Sequence, residues 1–152
     1  MNWKKLLTAV GFAALAVVPI AVTASTASAT ESMYNCSITA LKPEWRPLSN
    51  GTKQVRGVAT VHCGQARNVS VQIGVREADF GSAYDTYVAP YWLNPVYIAA
   101  GSRASFYTSW VHCANTELGN EEVYVLARMS VNGYASAWDS GRNGLNQISM
   151  AC

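Results

Sequence analysis

Two short motifs place a histidine directly before a cysteine, at His62-Cys63 and His112-Cys113. Imidazole and thiolate are both zinc ligands, and a histidine can also act as a general acid or base. Successive side chains of a β-strand point to opposite faces, so neighbouring His and Cys residues cannot hold one metal ion within a strand. We therefore expect no metal site and interpret both histidines as surface residues at strand ends.

Two aspartates, Asp85 and Asp139, occupy matched positions in the similar segments 80–86 and 134–140. A pair of carboxylates can form the acid/base dyad of a hydrolase. An aspartate at the end of a short aromatic strand is also typical of a turn cap, and no nucleophile motif or phosphate-binding glycine loop accompanies it. We predict no catalytic residue and no cofactor. A small secreted hydrolase or toxin that uses His62/His112 or Asp85/Asp139 is the alternative.

The first 29 residues have the pattern of a secretory signal peptide. A basic start with Lys4 and Lys5 precedes the apolar stretch 6–22, and Ala27-Ser28-Ala29 ends the segment with small residues. Removal of residues 1–29 leaves one domain, residues 30–152, with nine basic and nine acidic residues. A neutral chain has no electrostatic attraction for nucleic acid, and no second apolar run could span a bilayer. We expect a secreted, extracellular protein that binds neither nucleic acid nor membrane after cleavage.

All four cysteines lie in the predicted domain, and an even number in an exported chain indicates two disulfides. Asn50-Gly51 is a strong hairpin signal between Cys36 and Cys63, which it would bring onto neighbouring antiparallel strands. We therefore favour the pairs Cys36–Cys63 and Cys113–Cys152. Pairing of Cys36 with Cys152 is left open as the alternative.

The chain contains an internal repeat. At an offset of 50, Gly51-Thr52-Lys53 falls on Gly101-Ser102-Arg103, and both following segments end in Val-His-Cys. At an offset of 54, the alternating strand from Val69 to Val75 falls on the segment from Val123 to Met129. We interpret residues of about 49–86 and 99–140 as two copies of one β-meander.

Strict alternation of apolar residues from Val69 to Val75 predicts a strand with one buried face. Asn132-Gly133 is a type I′ turn signal, and no segment has the 3.6-residue period of a helix. We predict an all-β domain, an antiparallel β-sandwich of the immunoglobulin-like type, with a closed β-barrel as the alternative. The separation of Cys63 and Cys113 is similar to that in immunoglobulin domains, but their marker tryptophan and tyrosine are missing. No family is assigned.

The two copies differ most on one face, where the second copy gains large apolar residues. If its strands pair as a hairpin, these residues form an aromatic surface bordered by the joining segment, and the predicted ligand-binding residues are Tyr91, Trp92, Phe106, Trp110, Tyr124 and Leu126. We predict a non-enzymatic binding protein that recognises an extracellular protein or carbohydrate, such as a polysaccharide, through this surface. A structural extracellular component is an alternative, as is coverage of the surface by a C-terminal strand, Leu145 to Cys152.

Overall fold

The computed structural model describes residues 30–78, 86–113, 120–141 and 146–152. The expected signal peptide, residues 1–29, lies outside this part of the chain, as do Asp85 and Leu145. Regular structure in the described ranges is entirely β-strand. The strands are β1 (Glu31–Met33), β2 (Cys36–Ala40), β3 (Glu44–Pro47), β4 (Lys53–Arg56), β5 (Val58–Cys63), β6 (Arg67–Glu77), β7 (Thr86–Trp92), β8 (Val96–Ile98), β9 (Ser102–Tyr107), β10 (Val111–His112), β11 (Glu121–Val131), β12 (Tyr134–Ala135), β13 (Asp139–Ser140) and β14 (Gln147–Met150).

The front sheet consists of β1, β2, β5 and β9 together with β3, β4 and β10. Its central strand runs through β4 and β5 with Gly57 alone between them. Backbone hydrogen bonds continue across this junction, because Leu41 N donates to Val58 O and Thr108 N donates to Gly57 O. The two groups of strands therefore form one long antiparallel sheet.

The back sheet is built on the long antiparallel pair β6 and β11, which runs from Val123 opposite Glu77 to Val131 opposite Val69. On the far side of β6 lie β7 and β8. On the far side of β11 lie β12, β13 and β14, each paired with a different part of that strand. The alternating segment from Val69 to Val75 is thus a central strand of this sheet, with every second side chain buried.

The two sheets pack face to face, with their inward side chains forming the core. Front-sheet residues such as Ile38 and Val61 join back-sheet residues such as Ile73 and Met129 in one apolar cluster. In the described ranges the front sheet ends at β9 and β10 without a further strand, so the sheets do not close into a barrel. The predicted all-β antiparallel sandwich is confirmed. No helix in these ranges is long and apolar enough to cross a membrane.

Gly57 is the point where the front sheet changes its pairing register. Both neighbouring strands carry one extra residue at this point: Ala40 pairs with Ala59 but Glu44 with Arg56, and Tyr107 pairs with Val58 but Val111 with Val55. A Cβ on Gly57 would lie 2.9 Å from a methyl carbon of Ile73 and 3.0 Å from one of Val75. A glycine is needed here because the two sheets approach closely at this bulge.

Both disulfides have the expected partners. Cys36 lies directly opposite Cys63 on β2 and β5, and the two are bonded. The turn that joins β3 to β4 contains Gly51, at a φ of +82°, as the Asn-Gly signal predicts. Cys113, just after β10 in the front sheet, is bonded to Cys152, just after β14 in the back sheet. The first bridge therefore joins strands within a sheet, and the second joins the two sheets.

Candidate functional site

The expectation that Phe106 and Trp110 share one face is wrong. Phe106 pairs with Ala59 on the inward face and is 6% exposed, whereas Trp110 lies over the outward side chain of Arg56. The extra residue between Tyr107 and Val111 reverses the alternation of side chains at the Gly57 bulge. Phe106 is therefore a core residue.

Tyr124 and Leu126 do lie on the outward side of β11, but they are 4% and 9% exposed and form no accessible surface. The C-terminal strand β14 pairs beside Tyr124 within the back sheet rather than lying over it. Leu126 lies next to Gly74, and a Cβ on that glycine would be 2.8 Å from the Pro90 ring. Pro90 on β7 thus covers the sheet beside Leu126.

The joining segment supplies one of the two aromatic residues expected at the site. Tyr91 and Trp92 are both exposed, at 46% and 42%. Tyr91 pairs with the buried Ile73 and so lies on the inward side of β7, at the edge of the sheet. Trp92 pairs with Gln72 on the outward side. Only Trp92 therefore lies on the outer face of the back sheet.

A second exposed tryptophan, Trp138, lies on the same outer face as Trp92. The guanidinium carbon of Arg128 is 5.3 Å from the centre of the Trp92 ring and 4.5 Å from that of Trp138. Arg128 is held in place because its Nε donates to Gln72 Oε1 at 2.6 Å. We call Trp92 and Trp138 the tryptophan pair; their ring centres are less than about 10 Å apart, since both contact one guanidinium.

Sequence reasoning missed Trp138 and Arg128 as site residues. In the sequence, Trp138 belongs only to the segment 134–140 and Arg128 only to the repeated strand from Val123 to Met129. Their meeting depends on the pairing of β11 with β6 and on the path from β12 to β13, which returns to β11 at Ala127. A tryptophan and an arginine ten residues apart in sequence carry no local signal of this contact.

The outer face of the front sheet carries a different arrangement of the same residue types. Arg46 and Arg56, which we call the arginine pair, place their guanidinium carbons 4.4 and 4.6 Å from the Trp110 ring centre. Arg56 is also 4.4 Å from the ring centre of Tyr107. Arg46 and Tyr107 are exposed, while Arg56 and Trp110 are partly buried.

The arginine pair has two different hydrogen-bonding partners on the sheet. Arg46 donates from Nε and Nη2 to the neutral Gln54 Oε1, at 2.9 and 2.7 Å. Arg56 forms a salt bridge with Glu44, from Nε at 2.8 Å and from Nη2 at 2.5 Å. The patch therefore contains two positive charges and one negative charge.

The two histidines lie far apart. His62 pairs with Ser37 at one end of the front sheet, and His112 pairs with Gln54 near the other end. The positions 54 and 62 are eight residues apart along the central strand, which is about 26 Å. Among the described residues, no group of three or more His, Cys, Asp or Glu side chains is arranged to hold a metal ion. The geometry therefore gives no support to a hydrolase that uses both histidines.

Asp139 has a structural position between the sheets. It is 2% exposed, and its Oδ2 accepts a hydrogen bond of 2.5 Å from the backbone N–H of Ala40 on β2. Asn146 Nδ2 donates to the carbonyl of Ala40 at 2.8 Å. Burial raises the pKa of the Asp139 carboxyl, and the negative charge of Glu31 adds to the rise, against the lowering effect of the Ala40 bond. Asp139 thus joins β13 to the front sheet, and its proposed partner Asp85 lies outside the described residues.

A scan of the chain against protein-family models finds no match, and a search of curated proteins finds none either. Among solved structures, the chain is similar to Spo0M, a sporulation control protein from Bacillus subtilis, with a TM-score of 0.36 and 14% sequence identity. The match covers 78% of this chain and 49% of Spo0M. The chain therefore spans about half the length of Spo0M, and a likeness this distant carries no information on ligand or activity.

Proposed function

We propose that residues 30–152 form a secreted, non-enzymatic binding domain that recognises an extracellular polysaccharide through the tryptophan pair. The observation that carries the proposal is the exposure of Trp92 and Trp138, at 42% and 39%, against one arginine on a sheet face. Exposed aromatic rings held in fixed positions are the usual core of a binding surface, because they bury much apolar area and lose little side-chain entropy.

Arg128 prepares the tryptophan pair for a ligand in two ways. Its guanidinium contacts both rings, which limits their rotation before a ligand binds. Its Nε bond to Gln72 fixes it to β6, so the rings are placed relative to a rigid central strand rather than a loop. A sheet face with spaced aromatic rings suits an extended sugar chain, with ring stacking as the main contact.

Secretion is proposed from two independent features. The sequence of residues 1–29 has the three regions of a signal peptide. Both pairs of cysteines in the domain are disulfide-bonded, which is typical of proteins that fold in an oxidising compartment.

We further propose that the domain arose from two copies of a meander related by an approximate two-fold axis. Ile73 pairs directly with Ala127, its own counterpart at the offset of 54, as such an axis between neighbouring antiparallel strands requires. The third matched block differs, because Thr86 pairs with Arg76 whereas Ser140 pairs with Leu126. The proposed symmetry therefore applies to the central strands, and the copies diverge in the segment that carries Trp138.

The test is binding of the mature protein to insoluble cellulose, chitin and curdlan, measured by loss of protein from the supernatant. We expect saturable binding to at least one of them. The double variant Trp92→Ala/Trp138→Ala should bind that polysaccharide about 100-fold more weakly, because two stacked rings each contribute about 1.5 kcal/mol or more. Trp45→Ala is the matched control, since Trp45 is also an exposed tryptophan, at 51%, but lies on β3 in the front sheet.

Three outcomes would contradict the proposal. The first is no binding of the wild-type protein to any of the three polysaccharides. The second is unchanged affinity of the double variant at normal thermal stability. The third is an equal loss of affinity in Trp45→Ala, which would show that the effect is not specific to the tryptophan pair.

A further inference from the structure

We infer that the outer face of the front sheet is a second binding site, one for the anionic groups of a carboxylate-bearing polysaccharide. The site consists of the arginine pair, Arg46 and Arg56, with the Trp110 and Tyr107 rings against them. It shares no residue with the tryptophan pair and lies on the opposite side of the sandwich, so it is independent of the function proposed above.

The two guanidinium groups use the same edge for their contacts within the protein. Arg46 bonds Gln54 through Nε and Nη2, and Arg56 bonds Glu44 through Nε and Nη2. No partner of Nη1 is found for either arginine within the described ranges. Each guanidinium is therefore fixed along one edge and has donors along another, which is the geometry that binds a carboxylate through two parallel hydrogen bonds.

The charge of the patch favours an anion. Arg56 is neutralised by Glu44, but the partner of Arg46 is the uncharged amide of Gln54. Among the described residues no carboxylate lies within ion-pair distance of Arg46, and its side chain is exposed. The two guanidinium carbons are also less than about 10 Å apart, since both contact Trp110. The patch therefore has one excess positive charge and two guanidinium groups held in position, and it attracts neighbouring negative groups on one ligand.

The rings beside the arginine pair indicate that the anion is carried by a sugar. Trp110 directly precedes β10 and contacts both arginines. Tyr107, at the end of β9, lies along the same edge of the sheet and contacts Arg56. Polyglutamate would use the charges alone, whereas a uronate also offers a ring that stacks on the exposed phenol of Tyr107. In a chain of uronates, the carboxylates can therefore bind the guanidinium groups while a sugar ring stacks on the aromatic ring beside them.

The experiment measures binding of the full mature domain to three soluble probes by titration calorimetry. The probes are polygalacturonate, the same polymer with its carboxylates methyl-esterified, and poly-L-glutamate. We expect polygalacturonate to bind at least tenfold more tightly than either of the others. Arg46→Gln/Arg56→Gln should weaken this binding at least tenfold. Arg46→Lys/Arg56→Lys should restore part of it, because lysine has the positive charge but not the two parallel donors of a guanidinium.

Arg103→Gln is the matched control, because it removes one exposed charge from β9, opposite His62 at the other end of the front sheet. It should bind polygalacturonate like the wild type, as should Trp92→Ala/Trp138→Ala, which separates this site from the tryptophan pair. Equal binding of the esterified polymer would overturn the anion requirement. Equal binding of poly-L-glutamate would overturn the sugar requirement. No binding of polygalacturonate, or unchanged binding by the folded double-Gln variant, would overturn the site itself.

Discussion

The two outer faces of the sandwich combine the same two residue types in opposite ratios. On the back sheet, one arginine lies against two tryptophans; on the front sheet, one tryptophan lies against two arginines. On the back, Arg128 contacts both rings and is partly buried, and exposed apolar area remains at Trp92 and Trp138. On the front, Trp110 is partly buried and the charged edge of Arg46 remains exposed.

This difference shows that a cation–π contact does not by itself define the chemistry of a surface. The residue in the middle of the group is shielded by its neighbours, and the outer residues decide what solvent or a ligand meets. An aromatic outer pair favours stacking, and a cationic outer pair favours anions. The two groups share no residue, so substitutions can alter one face without altering the other.

The largest expected effect comes from Gly57→Ala, which acts on the bulge that brings Trp110 to the arginine pair. The added methyl would lie 2.9 Å from Ile73 and 3.0 Å from Val75, inside the core. We expect a loss of about 2 kcal/mol in the free energy of unfolding, measured by urea denaturation. Polygalacturonate binding should weaken in the folded protein, whereas binding at the tryptophan pair should not.

Gly64→Ala is the control for this comparison, because its added Cβ would be 3.6 Å from the nearest described atom, an ordinary contact. Its free energy of unfolding should change by less than about 0.5 kcal/mol. If Gly57→Ala is equally well tolerated, the close approach of the sheets at the bulge does not determine the front face.

A smaller effect is expected from Asp139, the residue that follows Trp138 and joins the back sheet to the front sheet. Asp139→Ala leaves the Ala40 N–H without its acceptor and should cost about 1–2 kcal/mol of unfolding free energy. Since Trp138 precedes it directly, binding at the tryptophan pair should also weaken, with polygalacturonate binding unchanged. Equal losses at both faces would show that Asp139 supports the whole sandwich rather than the back face.

The same residue predicts a pH dependence of stability. The pKa of Asp139 is raised in the folded protein above its ordinary value of 3.8, so the folded state holds this proton more tightly than the unfolded state. Its contribution is therefore favourable below 3.8 and is lost as the pH rises through the raised pKa. Relative to wild type, Asp139→Asn should gain stability from acidic to neutral pH in denaturation series. Glu31→Gln removes a charge that raises this pKa and should reduce the dependence; a pH-independent difference would contradict the assignment.

The smallest expected effect is the response of the two faces to salt. Raising NaCl from about 50 to about 200 mM should weaken polygalacturonate binding severalfold, because exposed charges are screened. Binding at the tryptophan pair should change less than about twofold, since stacking carries it. Equal salt dependence at both faces, measured by calorimetry and depletion, would remove the chemical distinction between them.

Features set by short-range sequence were predictable. Asn50-Gly51 gave the hairpin and with it the Cys36–Cys63 pair, and Asn132-Gly133 adopts the two positive φ values, 54° and 82°, of a type I′ turn. Alternation from Val69 to Val75 gave the central back strand, because burial on one face requires a period of two.

The candidate site was less predictable, because it depends on which faces the strands present. One extra residue between Tyr107 and Val111 put Phe106 and Trp110 on opposite faces, and the glycine at this bulge, Gly57, lies on the neighbouring strand, more than 40 residues away in sequence. Tyr124 and Leu126 have the apolar character of an aromatic surface, but their burial depends on neighbouring strands and Pro90. Trp92 alone among the predicted residues is exposed on the outer face of the back sheet, with Trp138 as its unforeseen partner.

The hydrogen bonds to Ala40 have a consequence for how the chain folds as it is made. The backbone N–H of Ala40 donates to Asp139, 99 positions later, and its carbonyl accepts from Asn146, 106 positions later. A growing chain therefore lacks the partners of these Ala40 backbone groups until synthesis has passed Asn146. Contacts between residues so far apart in sequence form slowly, and a partly folded chain that lacks them is prone to aggregation. The backbone of β2 at Ala40 can therefore complete its hydrogen bonds only after residues 139 and 146 have been made.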